Sequence, residues 1–174
     1  MSMNFLRFAA FAIAALLAAP AWGTLQAPTI TLGPASIAGG ASSTLTITLD
    51  NNPPGNPSNI AFNFTYPANV FNAATPAAST TCTSGTVTAT GLGNTLSLSG
   101  ASISGNNTCT VTVSITSCDQ ADYSIGGFNV TSSSGNPTAG TATLQVTSDA
   151  PADAVASSVS ASPGSVLADG TTAS

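Results

Sequence analysis

Thr44-Leu45-Thr46-Ile47-Thr48-Leu49 decides the fold class. Leu45, Ile47 and Leu49 fall on one side of an extended chain, and Thr44, Thr46 and Thr48 fall on the other. That two-residue period is the signature of a strand with one buried and one wet face. A helix would scatter the same residues around its circumference, and β-branched Thr and Ile are weak helix formers. The period recurs in both directions along the chain. Ile60, Phe62, Phe64 and Tyr66 repeat it with aromatics, Leu96 and Leu98 continue it, and Val111, Val113 and Ile115 repeat it a third time. Leu144 and Val146 close the set. Weaker runs lie at Thr29–Leu32, Gly85–Ala89 and Ser124–Val130.

Turn-forming clusters separate these runs: Gly39-Gly40, Asn51–Asn59 with its prolines, Pro76, Gly91–Asn94, Gly105–Asn107 and Ser132–Gly140. Seven or eight short strands with such spacing predict an all-β, antiparallel β-sandwich over residues 24–148. Gly or Pro interrupts every window long enough for an amphipathic helix in this region.

The flanks read differently. Residues 1–23 have the layout of a secretory signal peptide: Arg7, then an apolar stretch over Phe8–Leu17, then Pro20 ahead of small residues. Cleavage is expected after Gly23, with Ala21 as the alternative. The apolar stretch is shorter than the ~20 residues of a bilayer span, so the chain is expected off the membrane once cleaved, in a secreted, extracellular or cell-surface location. Asp149–Ala156 is an Ala, Asp and Pro segment without period and reads as a linker. Alternation resumes at Ser157–Ala161, and residues 157–174 read as the incomplete start of a second domain, since one strand cannot bury an apolar face alone.

Composition narrows function more than it identifies it. Charged residues are 4% of the 174, with one Arg, six acidic groups (all Asp) and no His. Typical domains carry about 25%. Nucleic-acid binding requires several cations against phosphates, which this chain lacks. Serine or cysteine hydrolysis requires a base beside the nucleophile, and residues 24–174 contain neither His nor Lys. Asp119 and Asp122 can be drawn as a glycosidase pair or a calcium ligand set, but a polar loop between strands explains them better. No catalytic, cofactor or metal residue is assigned.

Three cysteines are left, Cys82, Cys109 and Cys118. Cys82 precedes the Gly85–Ala89 run and Cys109 opens the strand through Ile115, so these two are the expected disulfide; Cys109–Cys118 is the rival pairing. Phe62, Phe64 and Tyr66 read as one core face rather than a ligand platform, leaving Tyr123 and Phe128 as the aromatic candidates for a binding surface.

Residues 28–147 resemble an uncharacterised immunoglobulin-like repeat of bacterial secreted and surface proteins. The resemblance is carried by Pro28-Thr29-Ile30-Thr31, Ile37-Ala38-Gly39-Gly40, Ser43–Leu49, Thr81-Cys82, Leu96–Gly100 and Asn107–Val113. It implies a Cys82–Cys109 bridge. The 51–59 insert and Cys118 depart from the pattern. Residues 157–174, with Val159–Pro163 and Ser165–Gly170, are similar to the first strand of an invasin/intimin-type bacterial immunoglobulin-like repeat. Together these imply a non-catalytic structural or adhesion module, partnered by neighbouring immunoglobulin-like domains or other surface proteins. A secreted carbohydrate-binding domain and a self-assembling matrix subunit are the alternatives.

Overall fold

The computed structural model describes residues 24–52 and 55–148, and among them every regular element is a strand. The signal peptide, the linker and the start of the second domain lie outside the described residues. The first layer is built on β3 (Ser42–Asp50), which pairs along its whole length with β9 (Thr108–Thr116). β1 (Thr29–Gly33) lies on the free side of β3, while β5 (Phe71–Asn72) and β6 (Ser79–Thr80) share the far side of β9. The second layer contains β10 (Ala121–Gly126), β11 (Thr141–Thr147) and β2 (Ser36–Ala38), the last parallel to β11. It also contains β4 (Ile60–Thr65), β8 (Thr95–Ala101) and β7 (Thr86–Thr88). The two groups meet where Ala61 and Thr131 exchange both backbone hydrogen bonds at 2.9 Å.

This is the expected all-β sandwich, with seven strands of five residues or more. The clear periodic runs each became a strand. β7 is shorter than the Gly85–Ala89 run. The Ser124–Val130 run ends as strand at Gly126, because Gly126 and Gly127 both take positive φ, 127° and 73°. Glycine is required at Gly126, where a Cβ would sit 2.1 Å from the Gly140 carbonyl oxygen. β2, β5 and β6 are two or three residues long and have no period to read.

Alternation converts directly into a core. Leu45, Ile47 and Leu49 are fully buried and stand opposite Val113, Val111 and Cys109 of β9. From the second layer come Phe62, Phe64, Tyr66, Leu96, Leu98, Ile125, Leu144 and Val146, all buried. Phe128 joins the β4 aromatics, its ring centroid 4.8 Å from Phe62 and 4.7 Å from Phe64. Each such side chain is worth about 1.5–3 kcal/mol on burial, and with no salt bridge network possible this is the main stabilising term.

Polar burial is concentrated at Asn72, which is fully enclosed. The Tyr66 hydroxyl donates to Asn72 Oδ1 at 2.7 Å, and Asn72 Nδ2 donates to the carbonyls of Thr90 (2.8 Å) and Thr95 (2.9 Å). The Asn72 backbone is held as well, its N–H donating to Gly93 O and its carbonyl accepting from Leu92. One side chain therefore fastens short β5 to the Thr90–Thr95 turn. Asn51, also buried, donates from Nδ2 to the carbonyls of Gly55 and Gly105 and ties the 51–59 insert to the turn before β9.

Ile47→Ala should cost about 2–5 kcal/mol in urea unfolding, because the surrounding sheet cannot collapse into the space. Tyr66→Phe should cost about 1–3 kcal/mol by leaving Asn72 Oδ1 buried without a donor. Burial pushes the Tyr66 hydroxyl well above the usual tyrosine range. The folded chain therefore holds this proton after the unfolded chain has lost it. Stability is intact below pH ~10 and then falls by about 1.4 kcal/mol per pH unit. Urea midpoints at pH 8 and 11, in a Cys118→Ser background, should show the fall and show it reduced in Tyr66→Phe.

Candidate functional site

Cys82 and Cys109 are joined, with Cα atoms 4.9 Å apart and a sequence separation of 27. Both are buried. Cys109 lies on the inward face of β9, opposite Leu49. Cys82 follows β6 of the first layer and precedes Thr83, which bridges to Ser102 just beyond β8 of the second. The bond thus pins the crossing of the chain from one layer to the other. Closing a loop of this length contributes about 3.6 kcal/mol in the chain-entropy treatment. The rival Cys109–Cys118 pairing is absent, and Cys118 is a free, exposed thiol.

The sequence candidates for an aromatic binding surface are not at the surface. Tyr123 and Phe128 are each only 8% exposed. The Tyr123 ring faces the core from β10, and its hydroxyl donates to the Asp119 carbonyl at 3.1 Å. Phe128 is consumed by stacking on the β4 aromatics. Asp119 and Asp122 are exposed, one in the loop before β10 and one on that strand. No group of three or more His, Cys, Asp or Glu converges among the described residues.

The exposed apolar side chains lie elsewhere. Phe71 is 41% exposed and Leu92 66%, the two large hydrophobic side chains that stand open to solvent among the described residues. They line one hollow at an end of the sandwich, together with Asn69, Thr116, Ser117, Cys118 and Asp119, enclosing about 330 Å³. Leu92 takes φ 59°, a left-handed conformation that costs a residue with a Cβ about 1–2 kcal/mol. The Asn72 hub enforces it, by accepting the Leu92 N–H at 3.2 Å. An exposed leucine held at the tip of a strained turn adds nothing to the core.

Sequence reasoning missed this pair because neither residue belongs to a pattern. Phe71 stands between buried Val70 and buried Asn72, where alternation would assign it outward, but a single residue gives no period. Leu92 sits in a Gly-Leu-Gly turn, which reads as punctuation. The one available signal was an apolar residue between two turn glycines.

Residues 28–146 match the family described as a domain of unknown function (DUF7933), and the chain belongs to that family. No curated protein matches the chain in sequence. Among solved structures, the fold is similar to a cohesin module from a Clostridium perfringens family 33 glycoside hydrolase. The identity is 12% and the TM-score 0.50, over 72% of this chain and 99% of that module. At that identity the likeness is one of fold, and it agrees with the immunoglobulin-like sandwich.

Replacing Cys82 and Cys109 together by Ala should lower unfolding stability by about 2–4 kcal/mol, read as a lower urea midpoint. A maleimide added to the native, unreduced chain should modify one site, Cys118, with labelling of Cys82 or Cys109 appearing only after reduction and unfolding. Intact mass and peptide mapping distinguish these outcomes.

Proposed function

We propose that this DUF7933 domain is a non-catalytic structural and adhesion module of a secreted bacterial surface protein. Residues 1–23 direct export, residues 24–148 form the sandwich, residues 149–156 link it, and residues 157–174 open a further immunoglobulin-like domain of the invasin/intimin type. The observation that carries the reading is the Phe71–Leu92 hollow. On a sandwich whose other large apolar side chains, among the described residues, are buried or half-buried, it offers an open contact surface, lined also by Cys118 and Asp119. The sequence is consistent with this view, since residues 24–174 contain no His, Lys or Glu and their six Asp are the carboxylates left for acid–base work. The cohesin likeness adds that a sandwich of this shape occurs as a module of a larger chain. Neighbouring domains or other surface proteins are the partners.

A self-assembling extracellular subunit is the second reading. It draws on the free Cys118 lying in the same hollow as Phe71 and Leu92. The carbohydrate-binding reading loses its candidates with the burial of Tyr123 and Phe128.

Expressed with its own leader in a Gram-negative host, the chain should appear outside the cytoplasm with Thr24 as its first residue, or Trp22 if cleavage follows Ala21. Retention of Met1 in a cytoplasmic product would contradict export. Beads coated with the full chain should adhere to cells of the producing bacterium, and Phe71→Ser with Leu92→Ser should weaken that adhesion about tenfold, as loss of a contact hot spot does. Equal adhesion by the double variant would remove the hollow from the account.

A further inference from the structure

The chain leaves the sandwich beside the Phe71–Leu92 hollow. β11 ends at Thr147, whose carbonyl accepts from the Gly39 N–H at 3.1 Å, and the next amide along, that of Gly40, donates to Ser117 O at 2.8 Å. Ser117 lines the hollow, as do Thr116, Cys118 and Asp119. The Thr147 and Ser117 carbonyls are therefore two hydrogen bonds and one residue of backbone apart, within roughly 10 Å. Gly39 permits this close approach: a Cβ there would stand 3.1 Å from the Cys118 carbonyl oxygen. Residues beyond Thr147 thus set out from beside the hollow.

The size of the hollow favours a tethered occupant. Seven residues line it and enclose about 330 Å³, whereas stable complexes of separate chains use about 20–30 residues a side. A segment of the same chain needs far less contact, because a short tether holds it at an effective concentration in the millimolar range. Asp119 in the lining disfavours an acidic occupant, and the open Phe71 and Leu92 side chains favour an aliphatic one. After Thr147 the sequence offers one pair of adjacent large aliphatic residues, Val166-Leu167, within the uncharged run Pro163–Ala168. Val155 stands alone between alanines and Val159 alone between serines. The 17 residues between Ser148 and Val166 span up to roughly 60 Å when extended, so the hollow is well inside the reach of the pair.

We propose that the hollow is the seat of this chain's own C-terminal segment, with Val166 and Leu167 packing on Phe71 and Leu92 and covering Cys118. The proposal rests on the reading of the hollow as a contact surface and names the segment that meets it. Seating is reversible, so an outside partner competes with the tail for the same two side chains. While the tail is seated, it also fixes the direction in which the following chain leaves the sandwich.

The test is the rate at which N-ethylmaleimide labels Cys118 in the full chain at fixed pH. Val166→Ser with Leu167→Ser, both outside the sandwich, should raise that rate about fivefold by releasing the cover, as a millimolar tethered contact allows. Val159→Ser should leave the rate at the wild-type value. In a Phe71→Ser, Leu92→Ser background the tail substitutions should no longer change the rate, since the seat is already lost, and the cycle removes any direct effect of Phe71 on the thiol. The first comparison uses tail substitutions alone, so it decides the matter even where the Phe71→Ser, Leu92→Ser chain fails to fold. Equal rates in the wild-type chain and the Val166→Ser, Leu167→Ser variant overturn the proposal, as does the same acceleration in both backgrounds. Bead adhesion judges the contact reading separately: adhesion that falls with Phe71→Ser and Leu92→Ser, while Cys118 labelling ignores the tail, keeps the contact surface and removes the tail from it.

Discussion

The structure depends on the pairing of β3 with β9. Nine consecutive residue pairs, from Ser42 with Thr116 to Asp50 with Thr108, are held in one antiparallel register. Because side chains alternate along a strand, that register assigns every residue of both strands to a face, and a slip of one position would exchange the faces entirely. It delivers Leu45, Ile47, Leu49, Val111, Val113 and Ile115 to the core. It also delivers the threonines to solvent, aligned from strand to strand. The core and the threonine face are two consequences of a single constraint.

Other features attach to this pair. β1 extends it on one side, and β5 and β6 on the other. The disulfide begins on it, at Cys109, and reaches Cys82 where the chain leaves for the second layer. Two pieces of irregular chain are secured by buried asparagines rather than by strands: Asn72 holds the turn that presents Leu92, and Asn51 holds the insert before β4. A chain with so few ions stabilises itself by apolar burial, one covalent bond and the hydrogen bonds of two buried amides, Asn51 and Asn72. Solubility then rests on hydroxyls, which is why threonines can occupy a whole sheet face.

Much of this was legible in the residues. The alternation at 44–49, at 60–66 and at 111–115 identified three strands and their inward faces, since a two-residue period has one physical reading when one side is apolar. Cys82 and Cys109 were the expected pair on chain order and on the family resemblance, and the structure joins them. What stayed hidden has a physical cause. β5 and β6 form because β9 offers a free edge, a fact of tertiary arrangement that two residues cannot announce. Tyr123 and Phe128 looked available because no pattern placed them, and the packing of Phe128 on Phe62 and Phe64 depends on a turn of glycines bringing distant strands together. Phe71 and Leu92 are exposed for the converse reason: the Asn72 network fixes a turn whose outward side no other element covers.

Native-state hydrogen exchange measured residue by residue is the most direct test of the central role of the β3–β9 pair. The amides of Ile47, Leu49, Val111 and Val113 should exchange last, at the rate of global unfolding, with β10 and β11 opening earlier through smaller fluctuations. If the amides of Tyr123, Ile125 and Leu144 outlast those of β3 and β9, the β10–β11 hairpin is the foundation of the fold, and the dependence described above is reversed.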